Sequence, residues 1–256
     1  MAILKGLIKQ IPILGDLARR LRGGVEPPAP FRDSASYWET RYASGGNSGV
    51  GSYSKFAHFK AGVLNQFVQD HQIATVIEFG CGDGNQLTLA CYPEYTGYDV
   101  SATAVAMCRK RFATDLAKAF HTVGDYAGET AELAISLDVL FHLVEDSIFE
   151  DYMRRLFDAS RRYVIVYSSD TDDNHGYEGT HVRHRKFTRW VGDNLSHWKL
   201  IEHIPNRYPY HGDYTQGSFA DFFIYEYGLA SKLFSTTATG ILAVNQNKAA
   251  PIKPIK

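Results

Sequence analysis

The stretch Val76-Ile77-Glu78-Phe79-Gly80-Cys81-Gly82-Asp83-Gly84-Asn85 decides the fold: an apolar run breaks into three alternating glycines. Thr75–Phe79 has the length and the branched and aromatic side chains of a buried strand. Glycines placed directly after a strand let the backbone approach a ligand closely at the strand's carboxyl end. Leu87 and Leu89 then read as the apolar start of a helix.

The spacing narrows the ligand. A dinucleotide fingerprint, G-x-G-x-x-G, needs its third glycine where Asn85 stands. No Gly-Lys-Ser/Thr follows, so a Walker loop is excluded. Glu78 lies two residues before Gly80, and its carboxylate would repel a pyrophosphate but attract a sulfonium ligand with an ammonium group.

Outward from this turn, strands and helices alternate. Further strands are expected at Tyr95–Val100, Ala119–Val123, Leu133–Val139 and Tyr163–Ser168. Helical spacing covers Ala102–Phe112 and Ser147–Ala159, the latter with Ile148, Phe149, Tyr152, Leu156 and Phe157 on one stripe. Tyr37–Tyr42 and His58–Asp70 read as helices upstream. The alternation predicts an α/β fold, a doubly wound, mostly parallel sheet with helices on both faces. Trp198–Ile204 and Ser218–Tyr227 follow each other without an obvious helix between them, so an antiparallel pair at the sheet edge is expected.

Two further acids follow strand ends. Asp99 stands 19 residues after Gly80, where a carboxylate can accept both hydroxyls of a ribose. Asp125, adjacent to Tyr126, follows the third strand and could meet the edge and face of an adenine.

This constellation resembles the class I S-adenosylmethionine-dependent methyltransferases over roughly residues 37–227. The resemblance implies a Rossmann-like sheet of seven strands with the last antiparallel, and S-adenosyl-L-methionine as cofactor. It further implies that Gly80, Gly82, Gly84 and Glu78 hold the methionine part, Asp99 the ribose and Asp125 the adenine amino group. Tyr37-Trp38-Glu39-Thr40-Arg41-Tyr42, Ser136-Leu137-Asp138-Val139-Leu140-Phe141-His142-Leu143 and His181-Val182-Arg183-His184-Arg185 are similar to a narrower bacterial group, often found with polysaccharide or natural-product genes. The expected reaction is methylation of a small-molecule or saccharide hydroxyl, with N-methylation of a small amine or a non-catalytic, cofactor-binding scaffold as alternatives.

In-line methyl transfer needs an aligned acceptor and, for a hydroxyl, a proton acceptor. Leu137, Asp138 and His142 close the fourth strand. Asp138 could hold the methionine ammonium or a substrate group. His142 reads either as a base or as a histidine packed under the cofactor loop. His181, Arg183, His184 and Arg185 crowd into five positions after the fifth strand, as an acceptor site with a base or as a solvated basic loop. Gly45–Ser52, between Tyr42 and Tyr53, could close as a lid over substrate, or serve as a flexible loop. Asp138, Asp170, Asp172, Asp173 and Asn174 loosely resemble a Mg²⁺-binding set, yet the run lies beyond the strand tip, and no metal is expected.

Composition sets the frame. The chain has 256 residues, 45% of them apolar, and a net charge of −1, which gives no reason to expect nucleic acid as a partner. Cys81, Cys91 and Cys108 make neither a zinc motif nor a disulfide framework, in keeping with a cytoplasmic setting. Residues 1–22 place Ile3, Leu4, Leu7, Ile8, Ile11, Leu14, Leu17 and Leu21 against a basic face, broken at Pro12. This segment suits the inner face of an anionic membrane, its own domain or a second subunit. Glycines and prolines to residue 30 form a linker. The catalytic domain is expected over 31–247, with a disordered tail at 248–256.

Overall fold

The structure, a computed structural model, describes residues 31–177 and 180–228. The amphipathic segment 1–22, its linker and the tail from 248 lie outside the described residues.

Seven strands form one sheet. They are β1 (Thr75–Phe79), β2 (Glu94–Asp99), β3 (Lys118–Thr122), β4 (Ala131–Leu137), β5 (Ser160–Ser168), β6 (Trp198–Ile204) and β7 (Asp221–Tyr227). Their order is β3-β2-β1-β4-β5-β7-β6. β1 to β5 pair in parallel, and β7 runs antiparallel to both β5 and β6. The expected edge pair is therefore present, with β7 inserted between β5 and β6.

Side-chain alternation sorts the core. Tyr163, Ile165 and Tyr167 of β5 face one cluster; Val164 and Val166 face the other. The first is covered by α2 (Ser54–Asp70) through Leu64, Phe67 and Val68, and by α3 (Ala102–Arg111) through Val105 and Cys108. The second is covered by α4 (Asp146–Asp158) through Phe149, Met153, Leu156 and Phe157, and by α5 (Phe187–Asn194) through Phe187 and Val191. Central strands covered on both faces read as continuous apolar runs, which is why β4 and β5 stand out in the sequence. β6, the edge, leaves Lys199–His203 exposed.

Two expectations are corrected. After the glycines the chain makes only a 3₁₀ turn, Gln86–Leu89, not a helix. Nine residues separate Gly84 from Glu94, where β2 begins, and Ala90 is already extended. Helix α5, which leads into β6, was not foreseen.

The strand order reverses between β1 and β4, and at such a switch point the carboxyl ends of the strands open a crevice. Helix α1 (Ser34–Ala43) crosses this crevice. Asp33 caps it, accepting from the Ser36 N–H.

Candidate functional site

The carboxyl ends of β1, β2 and β4 frame a cavity of about 360 Å³. Its floor is the glycine turn. Gly80 has φ +89° and Gly82 φ +57°. A Cβ on Gly80 would lie 2.3 Å from Val139 Cγ2, and one on Gly82 2.3 Å from Ser48 Oγ. Both positions thus require glycine for conformation and for space.

Asp99 braces this floor. Its Oδ2 accepts from Gly82 N at 2.8 Å and its Oδ1 from Ser101 N at 2.9 Å. Burial pushes its carboxyl up to about 6, against the pull of those two hydrogen bonds. Glu78, on the same wall, accepts from the Tyr95 hydroxyl at 2.5 Å. Burial raises it to about 7, opposed by Tyr95 and by the nearby charge of Lys60.

Asp138 follows β4 in the left-handed region, φ +60°, and lines the cavity. Its Oδ2 meets Lys60 Nζ at 2.6 Å. Lys60 is fully buried on α2 and lies 5.3 Å from the centre of the Tyr167 ring. Gln86, also in the wall, donates to Ala57 O at 3.0 Å, while its Oε1 is buried without a hydrogen-bond partner.

The roof is α1 and the segment behind it. Ser34, Ala35, Trp38 and Tyr42 line the cavity from one face of the helix. One end is pinned to the turn before α4, where Ser34 N donates to Glu145 Oε1 and the single Ser34 hydroxyl proton is shared between Glu145 Oε2 and His142 O, each at 2.7 Å. The middle is pinned to the start of α3, where Glu39 accepts from Ser101 Oγ, Thr103 N and Thr103 Oγ1. The glycine-rich segment is fastened to Asp83, whose Oδ2 accepts from Ser48 N and from the Tyr53 hydroxyl. Burial works to raise Asp83, but these bonds and the one from Asn85 N hold it below the usual carboxylate range. Tyr42 reaches the same latch through Ser48 Oγ at 3.0 Å.

The three histidines separate. His142 lines the cavity; His181 and His184 do not. His142 Nδ1 lies 3.1 Å from His181 O. A carbonyl only accepts, so in the neutral ring Nδ1 carries the proton and Nε2 keeps a lone pair. Burial lowers His142 to about 3, with the adjacent His181 adding to the effect. His181 is stacked between Tyr37 at 4.2 Å and His142 at 5.2 Å. His184 is buried, with Nδ1 2.7 Å from Ser169 Oγ and Phe219 edge-on at 4.7 Å.

The arginines and three further acids are engaged away from the cavity. Arg183 donates to Val144 O and pairs with Asp146. Arg185 donates to Leu143 O, Val144 O and Asp146. Their forks tie the 181–185 segment to the start of α4. Asp125 is exposed and closes a capping box on Thr122. Tyr126 packs edge-on against Phe79 at 5.2 Å. Neither lines the cavity; Val100, Val123, Leu143 and Ile148 form that part of its wall. Tyr53 likewise acts on the latch and not on the cavity, while Leu137 lines it. Asp170 accepts from Thr188 and Asp172 from Lys186 N, at the start of α5. Among the described residues no group of three His, Cys, Asp or Glu side chains is placed to hold a metal ion.

Residues 77–164, from inside β1 to the middle of β5, match the family model described as a methyltransferase domain. That stretch is similar to a methyltransferase domain. No curated protein matches the sequence. Among solved structures, the domain is similar to the N-methyltransferase NodS from Bradyrhizobium japonicum in complex with S-adenosyl-L-homocysteine. That likeness has a TM-score of 0.60 at 12% identity and covers 77% of this chain and 99% of that one. It is also similar to magnesium protoporphyrin IX methyltransferase from Synechocystis with bound S-adenosylmethionine. Here the TM-score is 0.54 at 16% identity, covering 78% and 100%. The match over residues 77–164 points to S-adenosyl-L-methionine as cofactor, and the cavity fits it. The floor demands glycine, the wall holds Glu78, Asp99 and Asp138, and Gln86 offers an unused acceptor to a cationic ligand.

Reading the sequence passed over Lys60, Asp83 and Gln86. Lys60 had a signal: it interrupts the apolar stripe Phe56, Ala57, Ala61, Leu64, Phe67 and Val68 of α2. Asp83 and Gln86 had none, since both sit among the glycines as ordinary loop polar residues.

Proposed function

We propose that the chain transfers a methyl group from S-adenosyl-L-methionine to a hydroxyl of a small molecule or saccharide. One observation carries the choice of a hydroxyl: of the three candidate histidines only His142 lines the cavity, neutral and with Nε2 unoccupied. The cofactor, when bound, supplies a sulfonium methyl for in-line displacement. Glu78 and Asp138 answer its positive charge, Asp99 accepts from its ribose, and α1 excludes water. His142 Nε2 accepts the hydroxyl proton as the oxygen loses it to the forming bond. Replacing His142 with Gln should lower kcat while leaving the affinity for S-adenosyl-L-homocysteine within twofold of wild type, roughly the scatter of such measurements. An unchanged kcat would remove His142 from the chemistry.

A second reading, N-methylation of a small amine, draws on the same wall. Three carboxyls attract a cationic amine, and an amine that enters neutral needs less help from a base as weak as His142. Turnover of amine but not hydroxyl acceptors would decide for it. Residues 1–22 are proposed to contact an anionic membrane or a second copy of the chain. Co-sedimentation with anionic vesicles, with and without this segment, tests that contact. Among the described residues no helix is long and apolar enough to cross a membrane.

A further inference from the structure

Lys60 is a full charge with no solvent exposure, set three residues beyond Ala57 on the face of α2 that backs the cavity. Its one hydrogen bond among the described residues goes to Asp138 Oδ2. Asp138 itself is 18% exposed, so it is the member of the pair that a ligand can reach. Its backbone is unusual as well. A φ of +60° is strained for a residue with a Cβ and persists only where the surroundings over-determine it. Two contacts do so: Asp138 N donates to Tyr167 O at 2.9 Å, and Lys60 takes the carboxylate. Tyr167 also lies beneath the Lys60 ammonium, so strand β5 fixes both ends of the arrangement. From the other side, Gly51 closes against the carboxylate; a Cβ there would lie 2.8 Å from Oδ2 and 3.7 Å from Oδ1.

We infer that Lys60 is a positioning residue: it anchors Oδ2 of the strained Asp138, so that the remaining oxygen faces the cavity to accept the ammonium of the cofactor's amino-acid head. This rests on the cofactor reading above. Lys60 pairs with the carboxylate through one oxygen only and leaves the other for the ligand. Lys60 has no solvent exposure and its ammonium is bonded to Asp138, so its effect on the ligand runs through that carboxylate.

Calorimetry on the full chain tests this with two probes, S-adenosyl-L-homocysteine and 5′-methylthioadenosine, which lacks the amino-acid head. Wild type should bind the first more tightly. Lys60→Met should weaken it about 10- to 100-fold, the range for a charged hydrogen bond, and leave methylthioadenosine unchanged. Lys60→Arg should recover part of the loss. Lys60→Met combined with Asp138→Asn removes both charges, leaves none buried alone, and should be no weaker than Lys60→Met. Where the single variant does not fold, this double variant carries the test through its loss of preference between the probes. Undiminished S-adenosyl-L-homocysteine affinity, equal weakening of both probes, or additive losses would overturn the inference. A wild-type chain that binds neither probe would overturn the cofactor reading and this inference with it.

Discussion

Glu78 and Asp99 share one wall of the cavity, and burial raises them to about 7 and about 6. A cationic ligand favours their ionised forms and so draws both values down. Binding near pH 7 should therefore release protons, seen as an enthalpy that varies with the buffer's ionisation heat; Glu78→Gln should shrink the effect. No buffer dependence would mean that the ligand's charge lies elsewhere. Asp99→Ala should weaken cofactor affinity by about 1–3 kcal/mol, because bonds to a charged acceptor are lost. Asp99 also braces Gly82, so part of that loss reflects a looser floor.

At the scale of elements, the 181–185 segment and the roof show what a sequence carries and what it omits. The crowding of two arginines and two histidines was legible, but its purpose was not. Arg185 is used up on the carbonyls of Leu143 and Val144, some forty positions away in the chain. Arg185→Ala should cost about 1–3 kcal/mol of stability in urea melts and leave the acceptor's KM unchanged. Strands β1, β4 and β5 were readable because burial on both faces writes a continuous apolar run. The 3₁₀ turn after the glycines was misread because Leu87 and Leu89 are two apart, a spacing that helices do not place on one face. Helix α5 was passed over because it is only eight residues long and joins the core chiefly through Phe187 and Val191. The 45–52 segment was visible as glycines, whereas its latch on Asp83 depends on a contact 35 residues distant. Asp83→Ala should speed amide exchange at Ser48 and Gly49; exchange as slow as wild type would show that the latch bears no weight.

For the whole molecule, the buried ionisable groups act on stability in opposite directions with pH. His142 is held near 3 in the fold against an ordinary 6.5. Its contribution is complete above 6.5 and is lost as pH falls from there towards 3, since the unfolded chain takes up the proton first. Glu78, raised to about 7 from 4.5, does the reverse: its contribution is complete below 4.5 and is lost as pH rises through 7. In ligand-free protein His142→Gln should flatten the acid side of a urea-midpoint profile, and Glu78→Gln should raise the midpoint at pH 8. A profile that neither variant alters would deny both assignments.

Helix α1 is joined to the loops after both β2 and β4, and its latch closes on the glycine turn after β1. The same backbone that would hold the cofactor thus also holds the cover. Where exchange of the cofactor requires one of these joints to part, its release is gated by the cover. The pace of turnover would be set by how often the cover lifts, and the methyl-transfer step would wait on it. A rapid first turnover followed by a slower steady rate is the kinetic mark of that arrangement.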